Sequence, residues 1–147
     1  MKRLYPDQPV VGVGAVIIDK GKILLEKRKN EPGRGKWSIP GGLVDLGETL
    51  EHAVVREMEE ETCLKCEENV TPMLLDVVDN IDLDEKGRIK YHFVIVDYSV
   101  KVKGSEFKVA SDAEDLRWVL LGQVEDYDLT SSFRLFFRRN RKELECL

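Results

Sequence analysis

Residues 49–64 constrain this chain more than any other segment, because they predict a helix with carboxylates inside its buried stripe. At 3.6 residues per turn, one set of side chains falls within a stripe roughly 140° wide. These side chains are Leu50, Ala53, Val54, Glu57, Met58, Glu61 and Leu64. Like charges four residues apart repel each other, and a carboxylate buried without a partner is costly. The pair Glu57 and Glu61 therefore predicts a compensating cation.

Other charged residues of the same segment have less specific explanations. A solvated helix face accounts for Glu59, which lies opposite the stripe, but it does not account for the pair inside the stripe. Glu60 can complete an oxygen-rich site for a hard ion such as Mg²⁺. Arg56 can neutralise or orient a neighbouring carboxylate, either Glu48 or Glu57.

The cysteines of the segment suggest a thiol site as an alternative. Cys63 and Cys66 form a lone C-x-x-C, which lacks the four ligands of structural zinc and stands where a helix ends. A redox motif opens a helix instead, so two ordinary thiols are the better interpretation. With Cys146 the chain has 3 cysteines, and we see no export signal. This usage predicts a reducing, cytoplasmic setting.

Length, charge and hydropathy limit the classes of protein to consider. A chain of 147 residues with 42% hydrophobic content predicts a single domain, residues 1–147. A net charge of -5 disfavours binding to polymeric nucleic acid. The apolar run 10–18 is far shorter than the roughly 20 residues that span a bilayer, so we expect no membrane partner. Whether the chain forms a homodimer is left open.

The order of predicted elements indicates an α/β domain. Strands are expected at 10–19 and 23–27, as a hairpin or as neighbours, followed by a long loop at 27–42 that is rich in Gly, Pro and basic residues. A helix at 49–62, strands at 71–79 and 90–103 around a turn, a strand at 116–121 and a helix at 130–144 complete the chain. This order predicts a mixed sheet covered by helices.

Residues 42–64, GLVDLGETLEHAVVREMEEETCL, match a known pattern: Gly-x5-Glu-x7-Arg-Glu-U-x-Glu-Glu-x-Gly-U, where U is bulky and apolar. The matching positions are Gly42, Glu48, Arg56, Glu57, Met58, Glu60, Glu61 and Leu64. The segment thus resembles the Nudix box, and GKWSIPGG, YHFVIVDY and DLRWVLL resemble other segments of that family. Cys63 departs from the pattern, since a glycine is usual there. A left-handed backbone at that position costs a residue with a Cβ on the order of 1 kcal/mol.

The resemblance implies a Nudix-type α/β/α sandwich that uses Mg²⁺ or Mn²⁺ to hydrolyse a nucleoside diphosphate linked to another moiety. It implies metal ligands at Glu57, Glu60, Glu61 and the Gly41 carbonyl. It also implies that Glu48 and Arg56 brace the helix and its loop within the catalytic machinery, and that Arg28 contacts a phosphate.

Two features of the site stay open at this level. The general base is either a box glutamate or an acidic residue of a later loop, where Glu106, Asp112 and Glu114 are the candidates. The other basic residues of the long loop either cradle phosphates or keep the loop solvated.

The leading substrate is ADP-ribose or a related nucleotide sugar, from overall resemblance to small ADP-ribose pyrophosphatases. Many of those enzymes have a proline where this chain has Asn80. The alternatives are a nucleoside triphosphate pyrophosphatase that removes oxidised or non-standard nucleotides, and a Nudix domain that senses a nucleotide without catalysis. A nucleotide is the expected small-molecule partner in each case.

Overall fold

The computed structural model describes residues 2–108 and 113–147, with side chains from residue 115 in the second range. The strands are β1 Val10–Val16, β2 Ile18–Asp19, β3 Lys22–Arg28, β4 Trp37–Ser38, β5 Gly41–Leu43, β6 Lys65–Cys66, β7 Met73–Leu83, β8 Ile89–Ser99, β9 Val102–Lys103 and β10 Ala113–Leu120. The helices are α1 Leu50–Thr62 and α2 Ser131–Glu145, with a 3-10 helix at Leu121–Asp126.

The strands form two larger sheets and one short pair. The first sheet has the order β5-β1-β8-β7, and the second has the order β10-β3-β2 with β4 also paired to β3. β1 and β8 run parallel, whereas the other pairs of the first sheet are antiparallel. The predicted mixed sheet is thus confirmed. β6 and β9 make the separate pair.

Two cores lie on opposite sides of the sheets. Alternate residues of β1 point to opposite faces, as strand geometry requires. Val13 and Ala15 pack with the apolar side of α1, whereas Val16 packs with α2. In β3, Leu24 belongs to the α1 core and its neighbour Ile23 to the α2 core. The arrangement confirms the α/β/α sandwich.

Both predicted helices are confirmed, and both begin at a threonine cap. The Oγ1 of Thr49 accepts a hydrogen bond from the His52 amide at 3.2 Å, and that of Thr130 accepts one from the Phe133 amide at 3.3 Å. These bonds satisfy amide groups that have no partner within the first turn. Three aromatic residues of α2, Phe133, Phe136 and Phe137, are all buried.

Cys63 caps the C-terminus of α1 in the left-handed conformation, with φ 61° and ψ 8°. Its amide donates to the Glu59 carbonyl at 3.0 Å, and its side chain is an exposed free thiol. The expectation that this position requires a left-handed backbone is therefore confirmed.

The predictions for the first third of the chain need correction. The run 10–19 is not one strand, because the chain passes from the first sheet to the second at Ile17, which is completely buried. The turn at Lys20 and Gly21 joins β2 to β3, so β1 and β3 do not form a hairpin. The long loop 27–42 contains β4 and β5, because Trp37 pairs with Lys27 and Gly41 pairs with Gly14.

Strand 90–103 is likewise divided, into β8 and β9.

Within the described residues, no helix combines the length and the apolarity needed to cross a membrane.

Candidate active site

Arg56 links helix α1 to the segment that precedes it. Its Nε and Nη2 donate to the two carboxylate oxygens of Glu48, each at 2.7 Å, and Nη2 also donates to the Leu43 carbonyl at 3.1 Å. Its Nη1 donates to the Oε1 of Glu57 at 2.8 Å. Hydrogen bonds from Arg56, and then one from the Asp45 amide, hold the pKa of Glu48 well below its usual range. The Glu48–Arg56 pair therefore braces the helix against its loop in the way that the resemblance implies.

Glu61 and Glu26 form the buried part of the acidic cluster. Only 6% of Glu61 and 3% of Glu26 is exposed, and the Gly41 amide donates to the Oε2 of Glu61 at 3.0 Å. The carboxyl groups of Glu26 and Glu61 lie within hydrogen-bonding reach of each other. Burial is the main cause that raises the pKa of each group. Two carboxyl groups meet in this way only when a proton or a cation lies between them.

Glu57 completes the cluster from the preceding turn of α1. Its carboxylate lies against Gly42, where a Cβ would collide with it, so the glycine is required for this approach. The described residues provide no hydrogen-bond donor to the Oε2 of Glu26. Carboxylate oxygens gathered in one buried cluster fit a hard divalent cation such as Mg²⁺ or Mn²⁺. Glu26, Glu57 and Glu61 are the residues that could hold it.

Glu60 is not brought into this cluster. Its side chain is 57% exposed and lies 3.4 Å from the Nη1 of Arg56, beside His52 and Lys65 on the outer surface. In the part of the chain that the structure describes, no three His, Cys, Asp or Glu side chains form a complete metal-binding group. Arg56 contacts both Glu57 and Glu60.

The acidic cluster lines a cleft of about 630 Å³. Its rim contains the basic residues Arg28, Lys29, Arg34 and Lys36. The Nε of Arg28 donates to the Pro32 carbonyl at 2.7 Å, and the charge of Arg28 is near enough to lower the pKa of Glu26. Acidic residues for a cation and basic residues for an anion therefore share one cavity, which suits a phosphate group.

The general-base candidates from the later loop are Glu106, Asp112 and Glu114. Glu106 is exposed and is absent from the residues that line the cavity. Asp112 and the side chain of Glu114 lie outside the described residues.

Sequence reasoning missed Glu26, although a signal was present. Glu26 is two residues after Leu24 in β3, so both side chains point to the same face of the strand. That face belongs to the α1 core. A carboxylate on a buried face is the same anomaly that marked Glu57 and Glu61.

Fold and site together define a class: an α/β/α sandwich whose acidic helix borders a cleft with a basic rim. The chain belongs to the NUDIX domain family, whose model matches residues 8–139. It is a hydrolase of the diphosphatase type.

Three similar proteins support this placement. The chain is 38% identical over 135 residues to the ADP-ribose pyrophosphatase of Methanocaldococcus jannaschii, covering 92% of this chain and 70% of that protein. The MutT NUDIX hydrolase of Burkholderia pseudomallei is 39% identical with a TM-score of 0.74, covering 90% of this chain and 98% of that one. The NUDIX domain of Shewanella oneidensis NrtR, solved with ADP ribose, is 26% identical with a TM-score of 0.74, covering 94% and 90%.

Proposed function

We propose that this chain uses Mg²⁺ or Mn²⁺ to hydrolyse the diphosphate of ADP-ribose or of a related nucleotide sugar. The observation that carries the proposal is the meeting of Glu26, Glu57 and Glu61 in a cleft that basic residues also line. A diphosphate is anionic and repels a nucleophile, so its hydrolysis requires positive charge around it. The similarity to a named ADP-ribose pyrophosphatase and to a NUDIX domain solved with ADP ribose supports the choice of substrate.

The chain's own residues would divide the work as follows. Glu57 and Glu61, with Glu26 and the Gly41 carbonyl, would hold the cation, and Glu60 stays in this set as a prediction from the resemblance. When bound, the cation neutralises phosphoryl oxygens and lowers the pKa of water. Arg28 binds the diphosphate from the rim of the cleft.

The bond changes follow from the products. A water oxygen forms a bond to one phosphorus, the bridging oxygen leaves with the other phosphate, and a cleft carboxylate takes the proton of the water. ADP-ribose would yield AMP and ribose 5-phosphate. Glu26 joins the box glutamates as a candidate base, because it lines the same cleft and contacts Glu61. Arg56 and Glu48 keep α1 in place while this occurs.

A substrate panel tests the proposal directly. ADP-ribose, other nucleotide sugars, dinucleoside polyphosphates and normal and oxidised deoxynucleoside triphosphates are compared with Mg²⁺, with Mn²⁺ and after chelation. We expect the highest kcat/KM for ADP-ribose or a nucleotide sugar, with AMP and a sugar phosphate as products from ADP-ribose. A monophosphate and pyrophosphate released fastest from a triphosphate would instead support the triphosphate pyrophosphatase alternative.

We further propose that the chain acts on free nucleotides in the cytoplasm, not on polymeric nucleic acid, in line with its net charge of -5. A homodimer is supported by exposed apolar residues on edge strand β7 and the neighbouring β8. Val77, Ile81, Leu83 and Ile89 are 44%, 52%, 60% and 49% exposed. Sedimentation of the protein and of Ile81→Lys tests this, since the variant of a dimer should sediment as a monomer.

A further inference from the structure

The floor of the cleft holds a carboxyl group that the proposed mechanism does not use. Asp97 lines the cavity from β8, and only 3% of the residue is exposed. Its buried Oδ1 has no hydrogen-bond partner among the described residues. A buried polar group without a partner is costly, so its place in a binding cleft calls for a ligand.

The neighbouring strands make room for this group without neutralising it. On one side, a Cβ at Gly14 would collide with the Oδ1 of Asp97, so the carboxyl group fills the space that the glycine leaves open. On the other side, Asp76 accepts hydrogen bonds from Arg139 at 2.8 Å and from Asn140 at 2.7 Å. Arg139 is therefore paired with Asp76.

The surroundings keep Asp97 uncharged at neutral pH. The apolar side chains of Ile39, Val78 and Ile95 also line this part of the cavity. Burial, and then the negative charge of Asp76, raises the pKa of Asp97 to about 8. A neutral carboxyl group presents one O–H donor beside one carbonyl acceptor. It therefore complements a ligand edge that carries an acceptor beside a donor.

The register of the sheet places this group at a useful distance from the acidic cluster. Gly14 pairs with Asp97 on one side and with Gly41 on the other. The Cα of Asp97 is thus two strands away from that of Gly41, roughly 10 Å at normal strand spacing, and its carboxyl group lies nearer, over Gly14. Gly41 is the residue whose amide contacts Glu61. Asp97 and the acidic cluster therefore line one cavity within the length of a single nucleotide.

We propose that Asp97 is a substrate-binding residue that recognises the adenine of the substrate through a pair of hydrogen bonds. The amino group of the base donates to one oxygen of Asp97, and the O–H of Asp97 donates to the adjacent ring nitrogen. The inference rests on the proposed function, because it assigns the base of the nucleotide to the same cleft.

Binding of AMP, measured by calorimetry, tests the inference without turnover. Asp97→Leu removes both hydrogen-bonding atoms, and two lost bonds predict at least tenfold weaker binding of AMP. Asp97→Asn retains an acceptor and a donor, so it should bind AMP within about threefold of the wild type. Asp79→Asn, an exposed position on β7, is the matched control and should bind like the wild type.

A second ligand separates recognition of the base from a structural role. Purine riboside 5′-monophosphate lacks the amino group, so the wild type should bind it at least tenfold more weakly than AMP. Wild type and Asp97→Leu should bind this ligand within about threefold of each other, because without the amino group the wild type no longer makes the full pair of hydrogen bonds to Asp97. The wild-type comparison remains decisive even if Asp97→Leu does not fold.

Three results would overturn the inference. They are equal affinity of the wild type for both ligands, unchanged binding of AMP by Asp97→Leu, and equal losses in Asp97→Asn and Asp97→Leu. If one of these results is found and the protein still hydrolyses ADP-ribose rapidly, the inference about Asp97 fails and the proposed function stands. Conversely, AMP binding through Asp97 without hydrolysis of ADP-ribose would overturn the proposed function alone.

Discussion

Replacement of Asp97 by asparagine should change how the stability of the protein depends on pH. The pKa of Asp97 is raised from 3.8 to about 8, first by burial and then by Asp76. A carboxyl group with a raised pKa stabilises the fold fully below its unfolded pKa, and this contribution is lost as pH rises through the folded value. For Asp97 the loss extends from about pH 4 to about pH 8.

The size of the effect follows from the same values. At about 1.4 kcal/mol per pH unit, the loss approaches about 6 kcal/mol when the window from 3.8 to about 8 has been crossed. Asparagine has nearly the same shape and does not titrate. The free energy of unfolding of Asp97→Asn, relative to that of the wild type, should therefore rise steadily between pH 4 and pH 8.

Urea unfolding at one-unit steps from pH 4.5 to pH 8.5 measures this difference. Other ionisable groups are common to both proteins, so their contributions cancel when the two are compared. Asp79→Asn serves as the control, and its curve should stay parallel to that of the wild type. Parallel curves for Asp97→Asn and the wild type across the range would refute the view that Asp97 is protonated in the folded protein.

Other predictions concern helix α1 and its end. Glu57→Gln and Glu61→Gln should each lower Mg²⁺-dependent turnover at least a hundredfold and weaken the binding of Mn²⁺ measured by electron paramagnetic resonance. Glu51→Gln, at an exposed position of the same helix, is the control. Wild-type turnover in both variants would refute the metal site. Arg56→Lys should lower kcat about tenfold or more, because an ammonium group cannot make the two hydrogen bonds of 2.7 Å that Arg56 donates to Glu48. An unchanged kcat would argue against a role of this pair in holding helix α1. Cys63→Gly should stabilise the protein by up to about 1 kcal/mol with activity intact, since the left-handed backbone suits glycine; a large fall in turnover would show that the thiol matters.

Much of the fold followed from local patterns in the sequence. The extent of both helices and the apolar stripe of α1 are encoded within a few turns of helix, so they could be predicted directly. The division of 10–19 could not, because consecutive buried residues at a corner between sheets look like one continuous strand. Strands β4 and β5 were missed for a related reason. Each has only two or three residues, and their partners are distant in sequence.

Part of the candidate site could also be predicted, and the limit has a geometric cause. Successive residues of a helix are about 100° apart, so Glu57 and Glu61 share a face while Glu60 turns away from Glu61. The structure accordingly places Glu60 beside Arg56 on the outer surface. The adjacent carboxylates looked equivalent as a motif, but the packing of α1 separates them.

The sequence by itself determined the acidic helix, because that helix depends on spacing within one segment. It also predicted a cation beside Glu57 and Glu61, and the resemblance to the Nudix box implied the Glu48–Arg56 pair. Only the tertiary structure decided that Glu26 of β3 joins Glu61, and that Asp97 of β8 lies over Gly14 in the floor of the same cleft. Those contacts depend on strand register between distant segments and on burial from every side. A local sequence pattern predicts neither the strand register nor the burial.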